Sequence, residues 1–184
     1  MTLANQLTLL RIVFIPLFVI IFYFPFKWAH VSCAIIFTVA AITDWLDGYV
    51  ARKYNQSTSF GAFLDPVADK LMVAIALLLL VSIHHESAWF VAAAAVIVGR
   101  EIVISALREW MAEIGQRASV AVSFIGKIKT TLQMIAIIVL LADVNELYLI
   151  GYLALAGAAF LTLWSMILYL RAASPFLLAE SSKK

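Results

Sequence analysis

Six apolar runs, each close to 20 residues long, govern what this chain can become: residues 7–26, 31–52, 61–83, 88–110, 126–142 and 147–171. A helix needs roughly 20 apolar residues to cross the hydrocarbon core of a bilayer. Within lipid, only helices and closed barrels satisfy their own backbone polar groups. The connections, such as residues 53–59 and 143–146, are short and polar, so no soluble domain fits between the runs. Composition agrees: 65% of the 184 residues are hydrophobic and 13% charged, against about 45–50% and about 25% in a soluble domain. A domain of this size has too little interior to hide that much apolar surface from water. This excludes a soluble globular protein, a disordered chain and a nucleic-acid binder, and the net charge of +2 adds little in any class. The single cysteine, Cys33, excludes a disulfide framework and a cysteine metal site.

The expected fold is an all-α integral membrane protein, one domain over residues 1–184 with six transmembrane helices. No internal repeat or low-complexity tract divides it. The first run is followed by bulky Phe26-Lys27-Trp28 rather than a small-residue cleavage site, so it reads as a retained helix and not a signal peptide. Residues 5–11 mix polar and apolar side chains at helical spacing, which predicts a short amphipathic helix in the interface before the first span. Lysine and arginine set the orientation. Every basic residue except Lys27 falls on one side of the predicted spans, and that side is cytoplasmic by the positive-inside rule, as are both termini.

Four of the five aspartates break the apolar pattern: Asp44, Asp47, Asp65 and Asp69. Each charge within a span costs about 2.5–3.5 kcal/mol on insertion scales, so the group needs compensation. Asp44, Asp47, Gly48 and Ala51 stand at i, i+3, i+4 and i+7, one stripe of a helix, and Gly61, Asp65 and Asp69 form a second stripe at i, i+4 and i+8. If the two helices make a hairpin, Asp44 and Asp69 lie about 12 Å in from the cytoplasmic ends, and Asp47 and Asp65 about 6–8 Å in. The acids then form two level pairs. Asp65-Pro66 also reads as a helix start, with proline in the first turn. Such carboxylates repel unless protons or cations intervene. Hard oxygen donors without nearby cysteine or histidine favour Mg²⁺, Mn²⁺ or Ca²⁺ over zinc. Paired metals are a usual device for displacement at phosphorus. The alternative is structural ion pairing with Arg52, Lys53 and Lys70, but three basic residues do not easily serve both stripes.

The pattern Asp44-x-x-Asp47-Gly48-x-x-Ala51-Arg52, then Gly61-x-x-x-Asp65-x-x-x-Asp69, resembles the complete signature of the CDP-alcohol phosphatidyltransferases, with all eight positions present. The likeness extends over nearly the whole chain to bacterial members that use glycerol 3-phosphate as acceptor. It rests there on Asn5-x-Leu7-Thr8-x-x-Arg11, on residues 61–70, and on Arg100-Glu101 through residues 108–113 to Gly126-Lys127-x-Lys129-Thr130-Thr131. The resemblance implies two Mg²⁺ or Mn²⁺ ions held by Asp44, Asp47, Asp65 and Asp69 in a cytoplasm-facing cavity of the bacterial inner membrane. It implies CDP-diacylglycerol bound near Asp44, Gly48, Ala51, Arg52 and Gly61, and Asp69 as general base. It also implies a homodimer, with the bilayer rather than nucleic acid as surroundings.

A second substrate carrying a phosphomonoester needs its own cations, and Arg100, Arg108, Lys127 and Lys129 are the candidates. The competing reading pairs them with Glu101, Glu109 or Glu113, and this fits Arg100 best. Asn5, Thr8 and Arg11, spaced by three, either face the cavity mouth or anchor headgroups. Thr43 either binds nucleotide or bonds its own helix carbonyl. His84-His85 reads as a solvated outer turn. Because the signature reads the CDP end alone, other acceptors (phosphatidylglycerol, serine or inositol phosphate) remain alternatives. A cation transporter is a further one, although its acids would be expected nearer the midplane and within repeats.

Overall fold

The computed structural model describes the backbone of residues 3–54, 59–115 and 124–181, and their side chains except at 3–7, 45–54, 59–63, 65, 124–125 and 177–181. Six helices follow one another: α1 (Leu3–Tyr23), α2 (Ala29–Tyr54), α3 (Ser59–Ile83), α4 (Ala88–Glu113), α5 (Phe124–Leu141) and α6 (Tyr148–Ser181). One turn of 3₁₀-helix, Asn145–Leu147, leads into α6. There is no strand among the described residues. The helices coincide with the six apolar runs. Three contain windows long and apolar enough to cross a membrane (Pro66–Ile83, Ala88–Glu113 and Asn145–Phe176), and Thr8–Tyr23 and Ala29–Asp44 are shorter apolar stretches.

Two local expectations change. The predicted interfacial segment is not a separate element, because α1 runs unbroken from Leu3 to Tyr23. No glycine or turn residue separates positions 5–11 from the span, and Pro16 sits inside the helix at the cost of one backbone hydrogen bond. Likewise Pro66 does not start a helix. α3 begins at Ser59 and carries Pro66 internally, so the Ala62 carbonyl loses its usual donor within the stretch that bears Asp65.

Helix ends follow local chemistry. Gly115 adopts φ +75° just past α4, and its N–H donates to the Ala112 carbonyl at 3.1 Å. A left-handed residue is the common helix stop and glycine takes that conformation without a Cβ penalty. Asp143 takes φ 55° after α5; aspartate tolerates this region better than most residues, and Tyr148 donates a hydrogen bond to its carboxylate.

The core is apolar, but so is much of the exterior, and a few cations are buried. Ile20, Ile102, Leu149, Leu153 and Phe160 are all at least 60% exposed, whereas Arg11, Arg100 and Lys129 are 4%, 8% and 3% exposed. Apolar groups outside and paired cations inside suit lipid as the surrounding solvent.

The chain forms two compact units. The first comprises Met1–His84 and Ile137–Gly151. Within it α1 packs on both α2 and α3, and α2 packs on α3. Cys33 donates from its thiol to the Phe18 carbonyl, and Tyr23 to Ser82 at 3.2 Å, tying α1 to its neighbours. At the start of α6, a Cβ on Gly151 would lie 2.7 Å from Leu140 Cγ. Leu140 is fully buried, so glycine is what permits this approach. The second unit comprises His85–Ala136 and Tyr152–Lys184. Its core seam joins α4 to α6 through Ile104, Met111, Tyr169 and Ala173. Trp89 and Phe90 meet Tyr152 edge-on at 5.4 and 6.1 Å.

Candidate active site

The acid motif falls wholly within α2 and α3 of the first unit: positions 43–52 belong to α2 and positions 61–69 to α3. The stripe spacings are therefore realised on continuous helices that pack together. The side chains of Asn5, Asp47, Gly48, Ala51, Arg52, Gly61 and Asp65 lie outside the described residues. Of the four acids, Asp44 and Asp69 are described, and both are partly buried.

Asp44 has a partner that the spacing did not identify. Arg11 of α1 donates to its carboxylate from Nη1 at 2.5 Å, with the arginine side chain 5% and the aspartate side chain 40% exposed. Spacing points to Arg52, Lys53 and Lys70 for such pairing and leaves Arg11 at the cavity mouth or on headgroups, because 33 residues separate it from Asp44. Thr8, one turn before Arg11, is fully buried, so this face of α1 turns inward. Thr43 donates to the Val39 carbonyl at 2.7 Å, the second of its two readings. A groove of about 260 Å³ runs between α1 and α2, lined by Leu10, Arg11, Phe14, Leu17, Ile35, Ile36, Val39, Ala40 and Thr43. Its walls are apolar except at the end formed by Arg11 and Thr43, beside Asp44.

The predicted acceptor cations lie in the second unit and divide into two groups. Arg100 and Lys129 are buried and share Glu101. Arg100 donates to Glu101 Oε1 at 3.1 Å and to Ser165 Oγ at 3.3 Å, and Lys129 donates to the same carboxylate oxygen. A cation in lipid is tolerable when paired in this way. Lys127 is exposed. Arg108 is also exposed, yet its orientation is fixed, since Nη2 donates to Tyr169 Oη at 3.0 Å and the guanidinium carbon lies 5.3 Å from the ring centroid. Neither Tyr169 nor Ser165 was a sequence candidate, because each looks like an ordinary residue of an apolar helix. Their one signal is α6 register: Ser165 and Tyr169 are four apart, on one face.

At the opposite ends of the helices, His84 meets the Tyr148 ring edge-on at 5.9 Å. Burial lowers its pKa, and the nearby Asp143 carboxylate offsets part of that. The expectation of a freely solvated turn is thus modified at His84, which packs against the α5–α6 connection.

Helices with apolar exteriors, two acid-bearing stripes on adjacent helices and buried paired cations define an α-helical membrane protein. A model of the CDP-alcohol phosphatidyltransferase family matches residues 1–166, and the chain belongs to that family. Among its relatives, a protein of Sodalis glossinidius is 58% identical over 174 residues, covering 94% of this chain and 95% of its own. A Salmonella typhimurium protein is 58% identical over 175 residues (95% and 96%), and one from Pectobacterium atrosepticum 58% over 168 residues (91% and 92%). All three bear the name CDP-diacylglycerol–glycerol-3-phosphate 3-phosphatidyltransferase.

Proposed function

We propose that this chain transfers the phosphatidyl group of CDP-diacylglycerol to glycerol 3-phosphate, giving phosphatidylglycerophosphate and CMP. The observation that carries this reading is the eight-position acid signature lying wholly on two packed helices, in a chain that matches relatives of that name almost end to end.

The donor set fits divalent metal. Asp44, Asp47, Asp65 and Asp69 offer only hard oxygen ligands, which suit Mg²⁺ or Mn²⁺, and two such ions would balance four carboxylates. Bound there, they would neutralise the donor pyrophosphate and the charge developing at phosphorus. The protein's own groups do the rest. Gly48, Ala51, Arg52, Gly61 and Asn5 receive the nucleotide end. The apolar groove between α1 and α2 suits a lipid tail beside Asp44. Asp69 accepts the proton from the acceptor hydroxyl as that oxygen attacks the phosphorus bearing diacylglycerol. The phosphorus–oxygen bond to CMP breaks in the same displacement, and CMP leaves with its electron pair. A base in hydrogen-bond reach contributes typically 10²–10⁴-fold in rate. Exposed Arg108 and Lys127 present positive charge to the acceptor phosphate, whereas Arg100 and Lys129 are buried and paired with Glu101. Residues 1–184 act as one domain in the bacterial inner membrane, with both termini cytoplasmic, as a homodimer.

The test is CMP release by the purified protein in detergent, with CDP-diacylglycerol, Mg²⁺ and one acceptor at a time: glycerol 3-phosphate, serine, inositol phosphate or phosphatidylglycerol. Release with glycerol 3-phosphate alone, abolished by EDTA, is expected. Release with another acceptor overturns the substrate assignment, and release unaffected by EDTA overturns the metal assignment.

A further inference from the structure

We propose that Tyr169 is a positioning residue for the acceptor phosphate, acting through Arg108; this rests on the acceptor reading above. Tyr169 lies beyond residues 1–166, the part matched by the family model, so that match gives it no role.

The argument begins with a contrast between two arginines on α4. Arg100 and Arg108 both place their guanidinium carbons near the same ring, at 5.5 and 5.3 Å from the Tyr169 centroid. Arg100 is buried, and its Nη groups are already committed to Glu101 and Ser165. Arg108 is exposed and meets no carboxylate among the described residues; its partners there are the Tyr169 hydroxyl and ring. A guanidinium has five N–H donors in a rigid fork, so one bond to Tyr169 leaves the rest of the fork for a ligand. The chemistry that fits a fixed, outward-facing fork is a phosphate dianion gripped by two parallel N–H groups.

Tyr169 is suited to hold that fork. Its ring is only 6% exposed and packs with Ile104, Met111 and Ala173 on the α4–α6 seam, so it cannot follow a wandering arginine. An exposed arginine otherwise gives up substantial rotamer freedom when it binds. Holding it in the bound geometry beforehand converts that cost into affinity. Tyr169 thus contributes to acceptor binding without touching the acceptor.

The experiment measures kcat, KM for glycerol 3-phosphate and KM for CDP-diacylglycerol in the full-length protein and in Tyr169→Phe, Tyr169→Leu, Arg108→Gln and the Tyr169→Phe/Arg108→Gln double variant. Melting temperature is recorded with and without inorganic phosphate. Loss of the hydroxyl in Tyr169→Phe is expected to raise KM for glycerol 3-phosphate about five- to tenfold, and loss of the ring in Tyr169→Leu to raise it further. KM for CDP-diacylglycerol should not move. The double variant should be no worse than Arg108→Gln alone, because the two residues act in series. The proposal is overturned if Tyr169→Phe has its full effect on the Arg108→Gln background, if both KM values and the melting temperature shift together, or if Tyr169→Leu leaves KM unchanged. If the wild-type protein uses no glycerol 3-phosphate, the proposed function fails by itself. Phosphate stabilisation then still decides this inference: it should persist in the wild type and be lost in Tyr169→Leu, and equal stabilisation of both overturns it.

Discussion

Arg11 Nη1 on α1 donates to Asp44 Oδ1 on α2 at 2.5 Å, so the first acid of the motif is tied to the first helix of the chain. The arginine is almost fully buried, while the carboxylate keeps 40% of its surface exposed. Asp44 is thereby held in position from one side and open on the other.

Arg11→Gln should cost about 1–2 kcal/mol of stability. Breaking a fully buried pair costs about 3–5 kcal/mol, and the exposure of Asp44 lets water carry part of the load. Thermal unfolding in detergent measures this, and Arg11→Lys should recover part of the loss.

Asp69→Asn keeps the shape of the side chain but removes its basicity. CMP release should fall by about a hundredfold or more, within the range contributed by a positioned base. Rapid-quench single-turnover kinetics, with donor binding checked separately, is the measurement. Full turnover in this variant would remove Asp69 from its proposed role.

Lys129→Met deletes one of two cations on Glu101 and keeps most of the aliphatic stem. Because Lys129 is 3% exposed and Arg100 stays in place, the expected loss is about 2 kcal/mol. A Lys129→Met/Glu101→Gln pair should lose less than the two single changes together, since they share one interaction. Denaturant titration of the four proteins gives the coupling directly.

The His84 turn carries a pH signature. Its pKa is lowered by burial, against a partial opposing effect of Asp143. An unfolded histidine takes up its proton near pH 6.5, so just below that pH the unfolded state binds more protons than the folded one. Stability should therefore fall as pH drops through about 6.5 and level off below the folded value. Melting curves between pH 5 and 8 should show this slope, and His84→Gln should flatten it.

The acid stripes were legible because they are local. Spacings of three and four on one helix are written directly in the residue order, and α2 and α3 keep them. Pro66 misled because proline marks the start of many helices but is tolerated inside a membrane helix, where neighbouring groups re-satisfy the freed carbonyl. The interfacial segment differs in extent only. Amphipathic spacing at residues 5–11 describes one face of a helix and does not mark where that helix ends, and α1 continues unbroken to Tyr23.

The sequence by itself determined the six helices, their membrane setting and the two acid-bearing stripes, because hydrophobic run length and helical periodicity are properties of neighbours along the chain. It also made Arg100 a better candidate for pairing than for ligand binding, and the structure pairs it with Glu101. Only the tertiary structure decided that Arg11 meets Asp44, that Lys129 spends its charge on Glu101, and that Tyr169 holds Arg108. Those contacts join residues 33, 28 and 61 positions apart. Which cation finds which partner across such separations depends on how helix faces pack, and no periodicity within a single helix encodes it.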